Sequence, residues 1–309
     1  MYPYNDHLEA FDHFAESVRH FAARELDAAL ESARRAHAAE PDELLYADAA
    51  NWLERAREQE GAALYLDGEA FSAFIRGGSN LPLYDFARAC LAEHLQRVQP
   101  ASLLDIGTGK GTMIVPVTQP LKPIPRLTFC EPSIALLDQA IEFARDAGLQ
   151  VESYPYPIEE LLDRVDTDWD VAVATWSLQN LPPPTRADVF RSLARRVRCL
   201  FLAEFDDRSG CYPDLLDPAR IRHVHDRYQL GLLEYPGQEG ILVRHGFLIP
   251  IMYGYFARGE DHSTYEQPIK WWEDELMSAG FAIVDRTLLY PYWWADAYLL
   301  EAEAPGAGI

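Results

Sequence analysis

Apolar positions recur every three to four residues through the first part of the chain. Leu8, Phe11, Phe14, Val18 and Phe21 form one series, Leu26, Leu30 and Ala33 a second, and Leu44, Leu45, Ala49, Trp52 and Ala56 a third. This period predicts three amphipathic helices. Pro41 separates the second from the third, and Asp42 stands where an acid favours the positive end of a new helix. Asp67 is placed to cap a short helix that Gly77 and Gly78 end, and Leu83, Phe86, Ala87, Cys90, Leu91 and Leu95 trace a further helical face with Pro82 in its first turn. From residue 101 the period changes. Short apolar runs at 103–106, 126–130, near 151, at 169–175 and at 200–205 alternate with helical stretches, one over 133–147 with Ile134, Leu137, Ile141 and Ala144 on one face and another carrying Val189, Leu193 and Val197. Strand and helix in alternation predict a doubly wound, mostly parallel α/β sheet behind an all-helical region.

Length and charge narrow the picture. A chain of 309 residues suits two domains with sizeable cores. Its 49 acidic against 27 basic residues give a net charge of -22, which repels a phosphate backbone, so nucleic acid is not an expected partner. No apolar run reaches the ~18 residues of a membrane span, and no signal peptide is read at the start. A cytoplasmic, non-membrane protein is expected. Cys90, Cys130, Cys199 and Cys211 have neither metal nor disulfide spacing and are expected to be buried thiols.

The chemistry concentrates in Ser-Leu-Leu-Asp-Ile-Gly-Thr-Gly-Lys-Gly, residues 102–111. A buried strand runs straight into Gly107, Gly109 and Gly111, whose missing Cβ atoms let a ligand lie against the backbone. A dinucleotide fingerprint needs its third glycine one position later, and a phosphate loop needs a glycine where Leu104 stands, so NAD and ATP are disfavoured. Glu131 follows the second strand by one residue, twenty after Gly111, where a carboxylate accepts from both ribose hydroxyls of a nucleoside. The helix that begins at Thr112, kept short by Pro116 and Pro120, offers amide groups for a cofactor carboxylate.

The D-x-G-x-G-x-G loop after a strand, from Asp105 to Gly111, resembles the first motif of the class I S-adenosylmethionine-dependent methyltransferases. The resemblance covers residues 77–205 and the C-terminal hairpin. It implies a seven-stranded sheet closed by an antiparallel hairpin, here the helix 271–279 and the strands 281–289 and 292–300. It also implies S-adenosylmethionine as cofactor, held by Asp105, Gly107, Thr108, Gly109, Gly111, Glu131 and Pro132. Thr175 and Trp176, at the exit of the fourth strand, would flank the methylsulfonium; Asn80 and Tyr84, just upstream of the first strand, would lie against the methionine end. Where the family commonly has an acid for the adenine amino group this chain has Pro157, which leaves the backbone amide of Ile158. The activity implied is methyl transfer to an oxygen, nitrogen or carbon nucleophile of a small molecule such as a secondary metabolite. Two rivals stay open: a cofactor-binding enzyme that catalyses a rearrangement or cyclisation, and a helical-repeat interaction module.

The domain reading is 1–98 for a helical cap or dimerisation domain and 99–309 for the cofactor domain, with a substrate cap inserted at about 208–262. Residues 26–53, with their seam of Ala29, Ala33, Ala36, Ala47 and Ala50, resemble a piece of a tetratricopeptide repeat. A stable array needs about three repeats, so a homodimer is the better expectation. His223, His225 and His245 lie in the insertion and are the candidates for a general base, with Tyr228 and Tyr253 beside them. A metal site is not expected, because His223 and His225 on a helix point about 200° apart. Seven tryptophans and sixteen tyrosines are a large aromatic load. Strand alternation over 292–300 would send Tyr292 and Trp294 to one face and Trp293 to the other.

Overall fold

The computed structural model describes residues 4–58, 68–121, 124–257 and 264–305, with side chains described from residue 9 onward. Asp67, expected to cap a helix, lies outside the described residues. In chain order the elements are α1 (Tyr4–Ala22), α2 (Leu26–Ala39), α3 (Leu44–Glu58), α4 (Gly68–Ile75), α5 (Asn80–Val98), β1 (Ser102–Ile106), α6 (Ile114–Thr118), β2 (Arg126–Cys130), α7 (Ile134–Asp146), β3 (Val151–Tyr154), α8 (Ile158–Arg164), β4 (Trp169–Thr175), α9 (Pro183–Leu193), β5 (Val197–Phe205), α10 (Pro218–Leu233), α11 (Ile241–Val243), α12 (Ile249–Ala257), α13 (Ile269–Ser278), β6 (Ala282–Pro291) and β7 (Asp296–Glu303). A 3₁₀ turn over Leu178–Asn180 follows β4, and a π-helical turn over Arg244–Leu248 joins α11 to α12.

The chain divides into two compact units: Met1–Leu81 with Arg208–His262 and Tyr292–Ala295, and Pro82–Asp207 with Ser263–Pro291 and Asp296–Ile309. In the first unit the apolar stripes of α1, α2 and α3 bury Phe14, Val18, Leu30, Ala33, Leu45 and Trp52. The inserted segment completes this core. Tyr253 of α12 is fully buried, stacks on Trp52 at 5.2 Å and 21°, and shares a 2.9 Å hydrogen bond with Ser17. Each large apolar side chain so buried contributes roughly 1.5–3 kcal/mol. The alanine seam lies inside, except that Ala47 is half-buried.

The second unit is a seven-stranded sheet in the order β3-β2-β1-β4-β5-β7-β6. β1 pairs in parallel with β2 and β4, and β7 runs antiparallel to both β5 and β6. Strand order reverses at β1 and β4, which opens a crevice at their carboxyl ends, the usual place for a ligand in such sheets. All five residues of β1, the polar Ser102 and Asp105 among them, are buried, as expected for a central parallel strand covered on both faces.

Several sequence expectations are corrected. Val197 opens β5 instead of extending the apolar face of α9, because α9 ends at Leu193 and the amide of Trp169 bonds the carbonyl of Arg196 to start the β4–β5 ladder. β7 begins only at Asp296, so the alternation assumed for Tyr292, Trp293 and Trp294 does not apply: these residues form a turn whose carbonyls at Tyr292 and Trp294 accept from the Arg227 guanidinium, both at 2.7 Å, instead of from a strand. The buried stripe of α5 is Leu83, Ala87, Leu91 and Leu95, a strict fourfold spacing that leaves Phe86 56% exposed. On α7 the inner face is Leu137, Ala140 and Ala144, and Ile134 is exposed. Cys130 and Cys199 are buried, Cys90 is half-buried and Cys211 is exposed.

Candidate functional site

The glycine loop is anchored at both ends by backbone bonds. The amides of Gly107 and Thr108 both donate to the carbonyl of Cys130 at the end of β2, at 2.8 and 3.2 Å, and the Thr108 hydroxyl turns back to the carbonyl of Asp105 at 3.1 Å. Two glycines are obligatory for different reasons. Gly107 has φ +71°, and a Cβ there would lie 2.4 Å from the Cβ of Ser177, so the loop rests directly on the chain leaving β4. Gly109 has φ +57° and nothing within 4 Å of where a Cβ would stand; its surroundings are open, so the protein itself does not use the space. Gly111 packs toward Val115 and Ala140.

Two acids lie under this loop. Asp105 is buried in β1, and burial, with the charge of Glu131 adding to it, pushes its carboxyl up to about 7. Glu131 is also buried: its Oε2 accepts from the amide of Gly109 at 2.9 Å and its Oε1 from the amide of Ser133 at 2.9 Å. Each oxygen of an ionised carboxylate has a second lone pair, so both retain capacity for a further donor. Pro132 follows, exposed.

At the exit of β4, Thr175 is half-buried and Trp176 has φ +51°. A bulky residue held in the left-handed region costs of order 1–3 kcal/mol, and such strain concentrates at ligand sites. What holds it is visible: the Trp176 amide bonds the carbonyl of Ala203, and the indole stacks on Phe205 at 5.7 Å and 19° and packs against Tyr84 of α5 at 5.1 Å. Among the described residues the buried Trp176 Nε1 has no hydrogen-bond partner. Burial raises the phenol of Tyr84, opposed by the charge of Arg88. Ile158 begins α8 after Pro157, in the first turn of a helix, where amides have no acceptor within the helix.

The remaining candidates belong to the first unit, and their polar atoms are largely engaged there. The Asn80 amide nitrogen donates to the carbonyl of Phe74 at 2.9 Å and to the Tyr235 hydroxyl at 3.2 Å, and its oxygen accepts from Tyr292 at 3.0 Å. His225 is buried, with Nε2 2.9 Å from the Tyr46 hydroxyl and Nδ1 2.7 Å from Asp226. His223 packs near Tyr212 and Trp294. His245 sits on the π-helical turn, its Nε2 2.6 Å from Asp48 Oδ1, while Arg244 Nε donates to Asp48 Oδ2 at 2.6 Å. These two bonds hold the Asp48 carboxyl below the usual range against the opposing effect of burial. Asp48, Ser177 and Glu204 escaped the sequence reading. Only Glu204 carried a signal, a lone acid inside the apolar run of β5.

The model of a methyltransferase domain matches residues 103–199, from β1 to β5. About a third of the chain is therefore similar to a methyltransferase domain. The match contains the glycine loop, Glu131 and the exit of β4, so the first-motif resemblance drawn from residues 105–111 holds. The fold is that of magnesium protoporphyrin IX methyltransferase from Synechocystis PCC 6803 with bound SAH, which is 14% identical with a TM-score of 0.50 over 76% of this chain and 93% of that one. Similarity extends to a mitomycin 7-O-methyltransferase, 16% identical over 91% of this chain and 71% of that one with a TM-score of 0.47. It extends also to an S-adenosylmethionine-dependent methyltransferase from Clostridium acetobutylicum ATCC 824, 10% identical over 72% and 92% with a TM-score of 0.47. No curated protein matches the sequence of the chain.

Proposed function

We propose that the chain binds S-adenosylmethionine along the carboxyl edge of β1, β2 and β4 and transfers its methyl group to a small molecule. The observation that carries this reading is Gly109: its positive φ and the open space above it make a bare backbone surface, and its amide is held by the Glu131 carboxylate. A nucleoside joined to an amino acid fits such a pair, with the ribose hydroxyls on Glu131 and the amino-acid part over the glycines. When bound, the cofactor supplies a methyl group activated as a sulfonium. Asp105 and Thr108 shape the loop from below, the partnerless indole N–H of Trp176 is available to a bound group, and the amide of Ile158 is the donor toward the base. Catalysis rests mainly on positioning, since the leaving group is supplied by the cofactor.

For proton removal the best of the three histidines is His245. A base oriented by an acid is the recurrent arrangement, and Asp48 provides it; both ring nitrogens of His225 are already engaged. His245→Ala is expected to slow single-turnover methylation by ~10²–10⁴ and leave cofactor affinity intact. The N-terminal helices would serve as a homodimer surface and the 208–262 insertion as a substrate cap. Light scattering tests this, and a monomer at micromolar concentration overturns it. A cytoplasmic location is supported by four unpaired thiols. The deciding experiment for the whole reading is calorimetric titration of S-adenosylmethionine into wild-type protein and Gly109→Val. Wild type should bind and the variant should not; equal affinity in both rejects the assignment.

A further inference from the structure

Glu204 stands one residue before the end of β5, on the face that Leu200 and Leu202 turn toward α9 and α13. It is fully buried, and among the described residues neither carboxyl oxygen makes a close, well-aligned hydrogen bond. A buried carboxyl in that condition is costly and calls for an explanation. The amides of Leu178 and Gln179 face it. These open the 3₁₀ turn after β4, and the first amides of a helical turn find no acceptor inside it. Three more buried polar atoms without partners come from the same layer: Gln179 Oε1 in the turn, Gln267 Nε2 in the segment bridged to Asp206, and Trp272 Nε1 in the core under α13. The rest of the turn is tied down. Tyr265 donates its amide to the carbonyl of Gln179 at 2.6 Å, and the buried Arg186, paired through two 2.7 Å bonds with Glu275, donates to the carbonyls of Leu181 and Tyr265.

What the turn supports gives the arrangement a purpose. Immediately before it come Trp176, with its positive φ, and Ser177, whose hydroxyl donates to the carbonyl of Ile106 at 2.7 Å and whose Cβ occupies the space denied to a side chain at Gly107. We propose that Glu204 is a positioning residue for the cofactor loop: its carboxyl caps the Leu178–Asn180 turn and thereby holds Trp176 and Ser177 against Gly107. Burial and the charge of Glu266 favour the neutral acid, opposed by Arg186 and the two amides. A neutral carboxyl suits the task, because its carbonyl oxygen can accept from a turn amide without a buried charge having to be held there. Glutamine at this position would keep both an acceptor and a donor; leucine would keep only the volume.

The inference rests on the cofactor reading for its consequence but not for its geometry, so two measurements are made on wild type, Glu204→Gln and Glu204→Leu. Hydrogen exchange of the ligand-free proteins should show the amides of Leu178 and Gln179 exchanging at least tenfold faster in Glu204→Leu and near wild type in Glu204→Gln. Titration with S-adenosylmethionine, well below each melting temperature, should show at least a tenfold loss of affinity in Glu204→Leu and no more than threefold in Glu204→Gln. Unchanged exchange in Glu204→Leu overturns the cap. Faster exchange with unchanged affinity overturns the link to the loop. If Glu204→Leu does not fold, the glutamine variant decides alone, since loss of affinity or protection in that isosteric protein contradicts the role. Failure of wild type to bind, with the exchange pattern as expected, rejects the cofactor reading and supports the cap.

Discussion

Asp48 and Glu204 are both buried acids, one in each unit, and their surroundings are opposite. Both oxygens of Asp48 are bonded, to Arg244 and His245, and its carboxyl is held below the usual range. Among the described residues Glu204 has no side-chain donor and only the amides of Leu178 and Gln179 facing it, and its carboxyl is pushed well above that range. The contrast extends beyond this pair. In the first unit Ser17, Asn80, His225 and Arg244 engage their polar atoms with neighbours, whereas at the carboxyl edge of the second unit Glu131 keeps spare lone pairs and Trp176 a spare N–H. At the carboxyl edge those spare donors and acceptors are what a bound ligand could use.

The comparison can be broken by mutation. Asp48→Ala leaves the buried Arg244 charge unpaired and is expected to cost about 3–5 kcal/mol of stability in denaturant unfolding, with S-adenosylmethionine affinity unchanged below the transition. A loss of affinity would erase the distinction between the units. Glu131→Ala should weaken the cofactor by about 1.5–3 kcal/mol in calorimetry, and the amides of Gly109 and Ser133 that it leaves without an acceptor should lower the unfolding midpoint as well.

Asp105 sharpens the contrast through pH. Its folded value of about 7 lies above the ordinary carboxylate value, so the folded state favours the protonated form. The stability it contributes is complete below about pH 4 and is lost as pH rises toward and through about 7, at up to about 1.4 kcal/mol per unit. Asp105→Asn cannot ionise, so its melting temperature should gain on that of wild type between these limits and hold a constant lead above them. A constant difference across the whole range would show that Asp105 is ionised throughout. The smallest effect is expected from Ser17→Ala, which removes bonds to the carbonyl of Ala29 and the hydroxyl of Tyr253 and should cost about 1 kcal/mol of stability and no affinity.

The sequence alone determined what depends on local period and local backbone freedom. The β1 run followed by glycines, the place of Glu131 one residue past β2, the limits of β2 and β4 and the helices α1 to α3 were all legible, because burial on both faces demands continuous apolar runs and a loop with positive φ demands glycine. Only the tertiary structure decided what depends on residues distant in sequence. That Trp293 and Trp294 sit in a turn follows from Arg227 taking their neighbouring carbonyls, some 65 residues away. That the 208–262 insertion joins the N-terminal helices in one core follows from Tyr253 packing on Trp52. The same holds for the opposite states of Asp48 and Glu204: a carboxyl has the same letter everywhere in the chain, and its charge is set by which donors the fold brings to it.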